Sequence, residues 1–403
     1  MADVTDLVEK VRSGQLRLHE LEDHADPDDA ATVRREYVAG ETGADLETVG
    51  EYSIDAADAE PNIENMIGTI QVPLGVAGPL PVDGDAADDD YQVPLATTEG
   101  ALVASVNRGM AAIRAADGAN ASIVKSGITR APVFSVADVR EAKEVADWVR
   151  ENEGEIAETA EETDPHIAFE EVTPYVVGDS VFLRFRYDTG DAMGMNMVTI
   201  ASRAASELIE EETPAELVAL SGNLCSDKKP AAINSIEGRG YTVAADVFLP
   251  HDVVEERFHA TTEDIAAVNT RKNLVGSAKA GSLGFNAHVA NIVGAAFLAL
   301  GQDEAQVVEG SNAITSLEAR DDGLYASVTL ASLEVGTVGG GTALPTQSEA
   351  LSILGVAGGG DPVGSNAEEL AEIIASAALA GELSLLGALA SRHLSSAHEE
   401  LGR

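Results

Sequence analysis

One cysteine, one tryptophan, seven lysines and an aromatic content of only 4% set this 403-residue chain apart by what it withholds. A lone Cys225 excludes an internal disulfide and fits a reducing, cytoplasmic setting. With histidines scattered and no second cysteine, no set of residues has metal-ligand spacing. No apolar run reaches membrane-spanning length without charged or polar interruption, so no transmembrane segment or anchor is expected. The N-terminus is acidic and polar, unlike a signal peptide. Positive charge is scarcest of all: 25 Lys and Arg stand against 69 Asp and Glu, for a net charge of −44 and a pI of about 4.2. Nucleic acid and anionic membranes would repel such a surface and are excluded as partners.

What is present argues for a folded enzyme. Hydrophobic residues make up 45% of the chain, too many for a disordered acidic tail. Self-repulsion at this charge density opposes compaction in dilute salt, so the composition reads as adaptation to concentrated salt, where screening is short-ranged. Residues 1–67 carry short polar helical patterns ending at glycines and form a small helical domain. The Pro- and Gly-rich stretch 72–84 reads as strand and turn. Thr97 and Thr98 offer an N-cap for a helix over 99–116. Over 131–219 the order is strand, long acidic helix (137–163), two strands meeting at Gly178 and Asp179, helix, strand. This βαββαβ order is ferredoxin-like, and a Rossmann G-x-G-x-x-G after the first strand is lacking. The rest, 68–130 with 232–403, forms a larger α/β domain joined to the insert by a loop, 220–231. Residues 286–300, apolar almost all round, predict its buried central helix. The last helix, from about residue 367 to 399, carries His393 and His398, about 140° apart around its axis.

Two of the seven lysines stand side by side in SGNLCSDKKPAAINSIEGRG (221–240), at Lys228 and Lys229. An exposed turn with two solvated lysines is the plain interpretation. In a chain that has almost abandoned lysine, an ammonium kept for an anionic substrate or a developing oxyanion is the better one. Further runs accompany it: ENMIGTIQVPLGVAGPL (64–80), TTEGALVAS (97–105), SGITRAPV (126–133), GDAMGMNM (190–197), KNLVGSAKAGSLGFNAHVANIV (272–293), GQDEAQVVEGSN (301–312), GTVGGGT (336–342) and HLSSAH (393–398). Together, in this order, they resemble the hydroxymethylglutaryl-CoA (HMG-CoA) reductase family from about residue 60 to the end.

The resemblance implies a two-step, NADPH-dependent reduction of HMG-CoA to mevalonate, in the biosynthetic class I form to which DAMGMNM is similar. It implies the family's non-Rossmann dinucleotide domain inserted in a larger one, and a homo-oligomer whose active sites lie at a dimer interface near ENMIG. By resemblance Lys228 faces the oxyanion, Glu99 is the general acid, Asp303 is the carboxylate beside them, and His398 protonates the departing thiolate. Glu99, Lys228 and Asp303 are expected to titrate as a cluster. Arg130, Ser221, Asp227, Lys229 and Lys272 match the holders of the acyl carboxylate and hydroxyl. His288 and Asn291 would face the site together from the central helix, and Arg108 matches a CoA-phosphate contact. The run Asp191, Ala192, Met193, Gly194, Met195 and Asn196 opens a helix toward the pyrophosphate, with Gly339 and Gly340 opposite. Asp164 and Pro165 stand where the family's 2′-phosphate holders fall, with His166 or a partner arginine as substitutes. The competing readings are a mevalonate-oxidising, NAD-linked enzyme of the same fold and a catalytically silent CoA-ester binder.

Overall fold

The computed structural model describes residues 3–391. Two sheets organise it. The larger has strand order β10-β11-β9-β3-β1-β2, built from β1 (Leu74–Gly84), β2 (Asp88–Ala96), β3 (Ala119–Lys125), β9 (Tyr241–Pro250), β10 (Ala313–Arg320) and β11 (Gly323–Leu333). Every pairing in it is antiparallel except β1 with β3. β3 and β9 are hydrogen-bonded neighbours although 115 residues separate them in sequence, with Ala121 opposite Ala245. Everything between them is an excursion from this sheet.

That excursion is the ferredoxin-like unit. Its strands are β4 (Ile128–Arg130), β5 (Val133–Ser135), β6 (Ala168–Val177), β7 (Ser180–Asp188) and β8 (Glu216–Ala219). β8, β5, β7 and β6 lie in that order, all antiparallel, with β4 also on β7. The expected long helix is two, Val139–Glu151 and Glu153–Glu161, broken at Asn152. Asn152 leaves the helical region (φ −115°, ψ 22°), and its Nδ2 donates to the Trp148 carbonyl. A separate core serves this unit, centred on Phe134, Val149, Phe185 and Tyr187.

Three helices pack on the larger sheet: Leu102–Ala115, Val289–Leu300 and Ser365–Ala390. The expectation placed the central helix at 286–300. Val289–Leu300 is indeed buried on most sides, but Ser365–Ala390 is the longer buried helix, its faces apolar through most of 26 residues. It is the one helix among the described residues long and apolar enough to cross a membrane, yet 83% of its apolar window is covered by the rest of the chain. It also holds buried carboxylates with internal work. Glu372 accepts the amides of Asp85, Ala86 and Ala87 in the β1–β2 turn. Glu382 accepts those of Ala287 and His288, each at 2.7 Å, and the Thr315 hydroxyl. That grip keeps residues 285–288 out of the helix, so Val289 starts it. Gly109 is where Leu102–Ala115 presses closest, since a Cβ there would lie 1.8 Å from the Ala380 carbonyl oxygen.

The surface remains strongly acidic, and its ion pairs, such as Lys10–Asp6 and Arg150–Asp147, are exposed and weak. Screening of the exposed acidic groups therefore falls to the solvent. At molar salt the Debye length is about 3 Å, against about 10 Å at 0.1 M. Stepwise dilution of KCl is expected to bring loss of ellipticity and a change in sedimentation well before salt-free buffer is reached. Unchanged circular dichroism and sedimentation across the series would show that the charge places no constraint on stability.

Candidate active site

The lysine loop owes its shape to left-handed backbone at side-chain-bearing residues. Asn223, Ser226 and Lys228 have φ of 61°, 49° and 60°, a conformation that costs each about 1–3 kcal/mol and needs support from its surroundings. Support comes from Ser226 Oγ on the Asn223 carbonyl, Asn234 Nδ2 on the Ser226 carbonyl, and Gln306 Nε2 on Asp227 Oδ1. The Lys228 amide donates to Glu309 Oε1. Thus held, Lys228 Nζ lies 2.7 Å from Asp303 Oδ2, and that carboxylate raises its pKa. Asp303 is fixed in turn as an N-cap, accepting the Ala305 amide at 3.1 Å.

Lys228, Asp303, Asp227 and Arg130 share a cavity of about 730 Å³. Its opposite wall is the start of the Met195–Glu212 helix, with Ala192 to Met197, and the turn through Gly339 and Gly340. The amides of Met195, Asn196 and Met197 precede the first intrahelical bond, Val198 to Gly194, and are free to meet an anion. Gly339 and Gly340 have φ of 76° and 54° with open space around both α-carbons, so at those two positions only backbone lines the cavity. Volume, unpaired amides and bare glycine backbone fit an extended diphosphate such as a dinucleotide.

Asp191 departs from expectation. Its carboxylate accepts four amides, Gly360 and Gly364 on Oδ2 and Asn366 and Ala367 on Oδ1, at 2.8–3.1 Å. It caps the Ser365–Ala390 helix from afar and is 4% exposed. Both oxygens are consumed, so this side chain clamps two parts of the chain together rather than contacting a cofactor. The rest of the run does line the cavity.

The helix expected from Glu99 starts later. The helix starts at Leu102, behind a left-handed Ala101 (φ 70°), and Thr97 Oγ1 receives the Glu99 amide in a local turn instead of capping a helix. Glu99 is exposed and does not line the cavity. Asn291 Nδ2 reaches Glu99 Oε1 at 3.5 Å and His288 Nδ1 at 3.4 Å, while His288 Nε2 donates to the Gly381 carbonyl at 2.8 Å. His288 is the N-cap residue of Val289–Leu300, not within it. Lys272 sits on a π-helical stretch, Asn269–Gly276, against Asn273 Oδ1. Within one chain, then, the expected three-membered cluster reduces to Lys228 with Asp303. Glu99, His288, Asn291 and Lys272 stand apart from that cavity.

Among the remaining candidates, Lys229 folds back on the Asp227 carbonyl. Ser221 lies 3.7 Å from the buried Cys225 sulfur, which is inert by position. Arg130 has a buried, unpaired Nε and an Nη1 3.9 Å from Asp227 Oδ2, so its charge is largely available to an anion in the cavity. Arg108 commits Nε and Nη2 to Ser384, and burial lowers its pKa. Asp164 binds His166 through backbone and ring, and neither they nor Pro165 line the cavity. His398 and His393 lie outside the described residues.

Beneath the loop lies a network that sequence reading did not find. Arg239, fully buried, is 2.8 Å from Glu334, 3.2 Å from Asp227 and 3.5 Å from Glu309, with Gln306 Oε1 at 3.1 Å. Burial pushes Glu334 up to about 8 and raises Glu309 as well. Three carboxylates around one guanidinium cannot all be buried charged without cost, and burial falls hardest on Glu334 and Glu309. The signal was an arginine between glycines in EGRG, whose partners Gln306, Glu309 and Glu334 are 67 to 95 residues away.

An ammonium paired with a carboxylate, facing a cavity walled by a helix N-terminus and bare glycine backbone, is the layout of an oxidoreductase that stabilises a developing oxyanion. Comparison with known proteins gives the particular family. The family model for hydroxymethylglutaryl-coenzyme A reductase matches residues 30–403. The 3-hydroxy-3-methylglutaryl-coenzyme A reductase of Haloferax volcanii is 66% identical over 403 residues, covering 100% of both chains. That of Pyrococcus abyssi is 54% identical over 407 residues, again covering 100% of both. A class II reductase from Streptococcus pneumoniae bound to NADPH shares the fold, with a TM-score of 0.68 at 19% identity over 93% of this chain and 100% of that one. This chain belongs to the hydroxymethylglutaryl-coenzyme A reductase family.

Proposed function

We propose that this chain reduces (S)-3-hydroxy-3-methylglutaryl-CoA to (R)-mevalonate and CoA in the cytoplasm of a salt-adapted cell, as a class I, NADPH-dependent enzyme. The observation that carries the reading is the Lys228–Asp303 pair at 2.7 Å on the wall of the dinucleotide-sized cavity. The amides of Met195 to Met197 and the Gly339–Gly340 turn would hold the pyrophosphate of NADPH, which supplies hydride when bound. Arg130, on the cavity wall, would meet the acyl carboxylate through its guanidinium. Lys228 meets negative charge building on the thioester oxygen, and again on the aldehyde oxygen. Asp303 keeps that ammonium charged and aimed. Glu99 delivers the proton to the aldehyde oxygen, and His398 delivers one to the CoA thiolate.

Glu99, His288, Asn291 and Lys272 stand apart from the Lys228 cavity within one chain, which supports a homodimer in which each site draws on two subunits. The segment around ENMIG exposes Ile63, Ile70, Leu74 and Val76, large apolar side chains 49% to 82% accessible, as a subunit contact would. The division into residues 1–67, 68–130 with 232–403, and 131–219 goes with this reading, the last serving the dinucleotide.

Nicotinamide absorbance in molar KCl tests it. HMG-CoA should be consumed with NADPH, with a kcat/KM above that for NADH. Oxidation of mevalonate with NAD as the only activity detected would overturn the direction. With free mevaldehyde, Glu99→Gln should fail whereas His398→Gln should still reduce it, because only thiolate departure needs the histidine. Equal losses in both variants would refute this allocation of protons.

A further inference from the structure

Lys228 is gripped at two points by a single short segment. Asp303 holds its ammonium, and Glu309, six residues on, accepts its backbone amide. Between them Gln306 holds Asp227, the preceding residue. Glu309 belongs to the Val307–Gly310 helix, is 0% exposed and does not line the cavity. It therefore touches no substrate, and its Oε2 has no partner. Its charged neighbours are Arg239, 3.5 Å away, and beyond it Asp227 and Glu334, which bind the same guanidinium. A buried carboxylate with one idle oxygen is costly. The other oxygen answers a need the loop creates: Lys228 has φ of 60°, and its amide must be held if the side chain is to leave the loop toward Asp303.

We infer that Glu309 is a positioning residue for Lys228, fixing through the Lys228 amide the left-handed backbone that aims the ammonium at Asp303 and at the reacting oxygen. The inference rests on the proposed role of Lys228 and adds a residue that acts only through it. Arg239 keeps Glu309 in place, and its Nη2 lies 2.8 Å from Met195 Sδ, so the same buried cation also meets the helix that walls the cavity.

The test is a double-mutant cycle on the full-length enzyme in molar KCl. Glu309→Leu should lower kcat at least about tenfold while KM for NADPH changes less than about twofold, because the lost interaction matters only where charge develops. In a Lys228→Ala background the same replacement should cost less than about twofold, since the aim of a missing side chain has no value. Equal losses in the two backgrounds, or an unaltered kcat in Glu309→Leu, would overturn the inference. Near-normal turnover in Lys228→Ala alone would instead bring down the reading of the site. Should Glu309→Leu not fold, Glu309→Gln carries the test, since its side-chain carbonyl still accepts the amide. It should keep most activity, and with seven lysines in the chain the Lys228 amide can be followed by nitrogen-15 lysine labelling. Exchanging the carboxyl acceptor for a carboxamide should move that resonance in Glu309→Gln. An unmoved resonance would show that Glu309 does not hold Lys228.

Discussion

Lys228→Ala is expected to lose about 10²–10³-fold in kcat with the fold intact. The reasoning is electrostatic. Negative charge forms on the thioester oxygen during reduction, and a preorganised donor at that position lowers the barrier by about 3–4 kcal/mol, most of which is lost with the donor. The ammonium is half-exposed and makes one ion pair, so its removal should hardly disturb stability. Asp303 would then face the cavity without its cation, and HMG-CoA affinity should fall as well. Steady-state kinetics with HMG-CoA beside a thermal melt in the same KCl would separate these effects. Turnover within a few fold of the parent would remove Lys228 from the chemistry.

A second large effect should follow Asp191→Ala, and it should appear in stability before catalysis. Four backbone amides of residues 360–367 point at this one carboxylate, and the N-cap of Ser365–Ala390 offers no side-chain acceptor of its own. Stripping a buried charge of its role and leaving several donors unpaired costs about 3–5 kcal/mol. The Asp191 carbonyl also receives the Thr337 amide at 2.7 Å, so release of the clamp would shift the GDAMG helix start relative to the GTVGGGT turn. Asp191→Asn retains one acceptor oxygen and should fall between the two. Denaturant midpoints in molar KCl read this out. A loss under about 1 kcal/mol together with weaker dinucleotide binding would assign Asp191 to cofactor contact after all.

Much was legible in the sequence because it rests on local pattern and on motifs that stay contiguous. The order of elements over 131–219 gave the ferredoxin-like unit, and the structure pairs its strands accordingly. Composition gave a strongly acidic chain, and its lone cysteine, which excludes an internal disulfide, is buried. The lysine pair pointed to a loop worth attention, and GQDEAQ supplied the carboxylate found beside Lys228.

Only the tertiary structure decided what each charged group in those motifs does. Asp191 lies in a run that suggested a cofactor site, but its oxygens meet amides about 170 residues away. Thr97 looked like a cap, but a left-handed Ala101 delays the helix to Leu102. Glu309, Glu334, Glu372 and Glu382 have no period or spacing that marks them off among 69 acidic residues. They are distinguished by burial, because a carboxylate without water must find donors wherever the fold brings them. Periodicity and motif report what a residue's chain neighbours require. The partner of a buried charge depends on which distant segments share its low-dielectric surroundings, and that is settled when the two sheets and the Ser365–Ala390 helix pack.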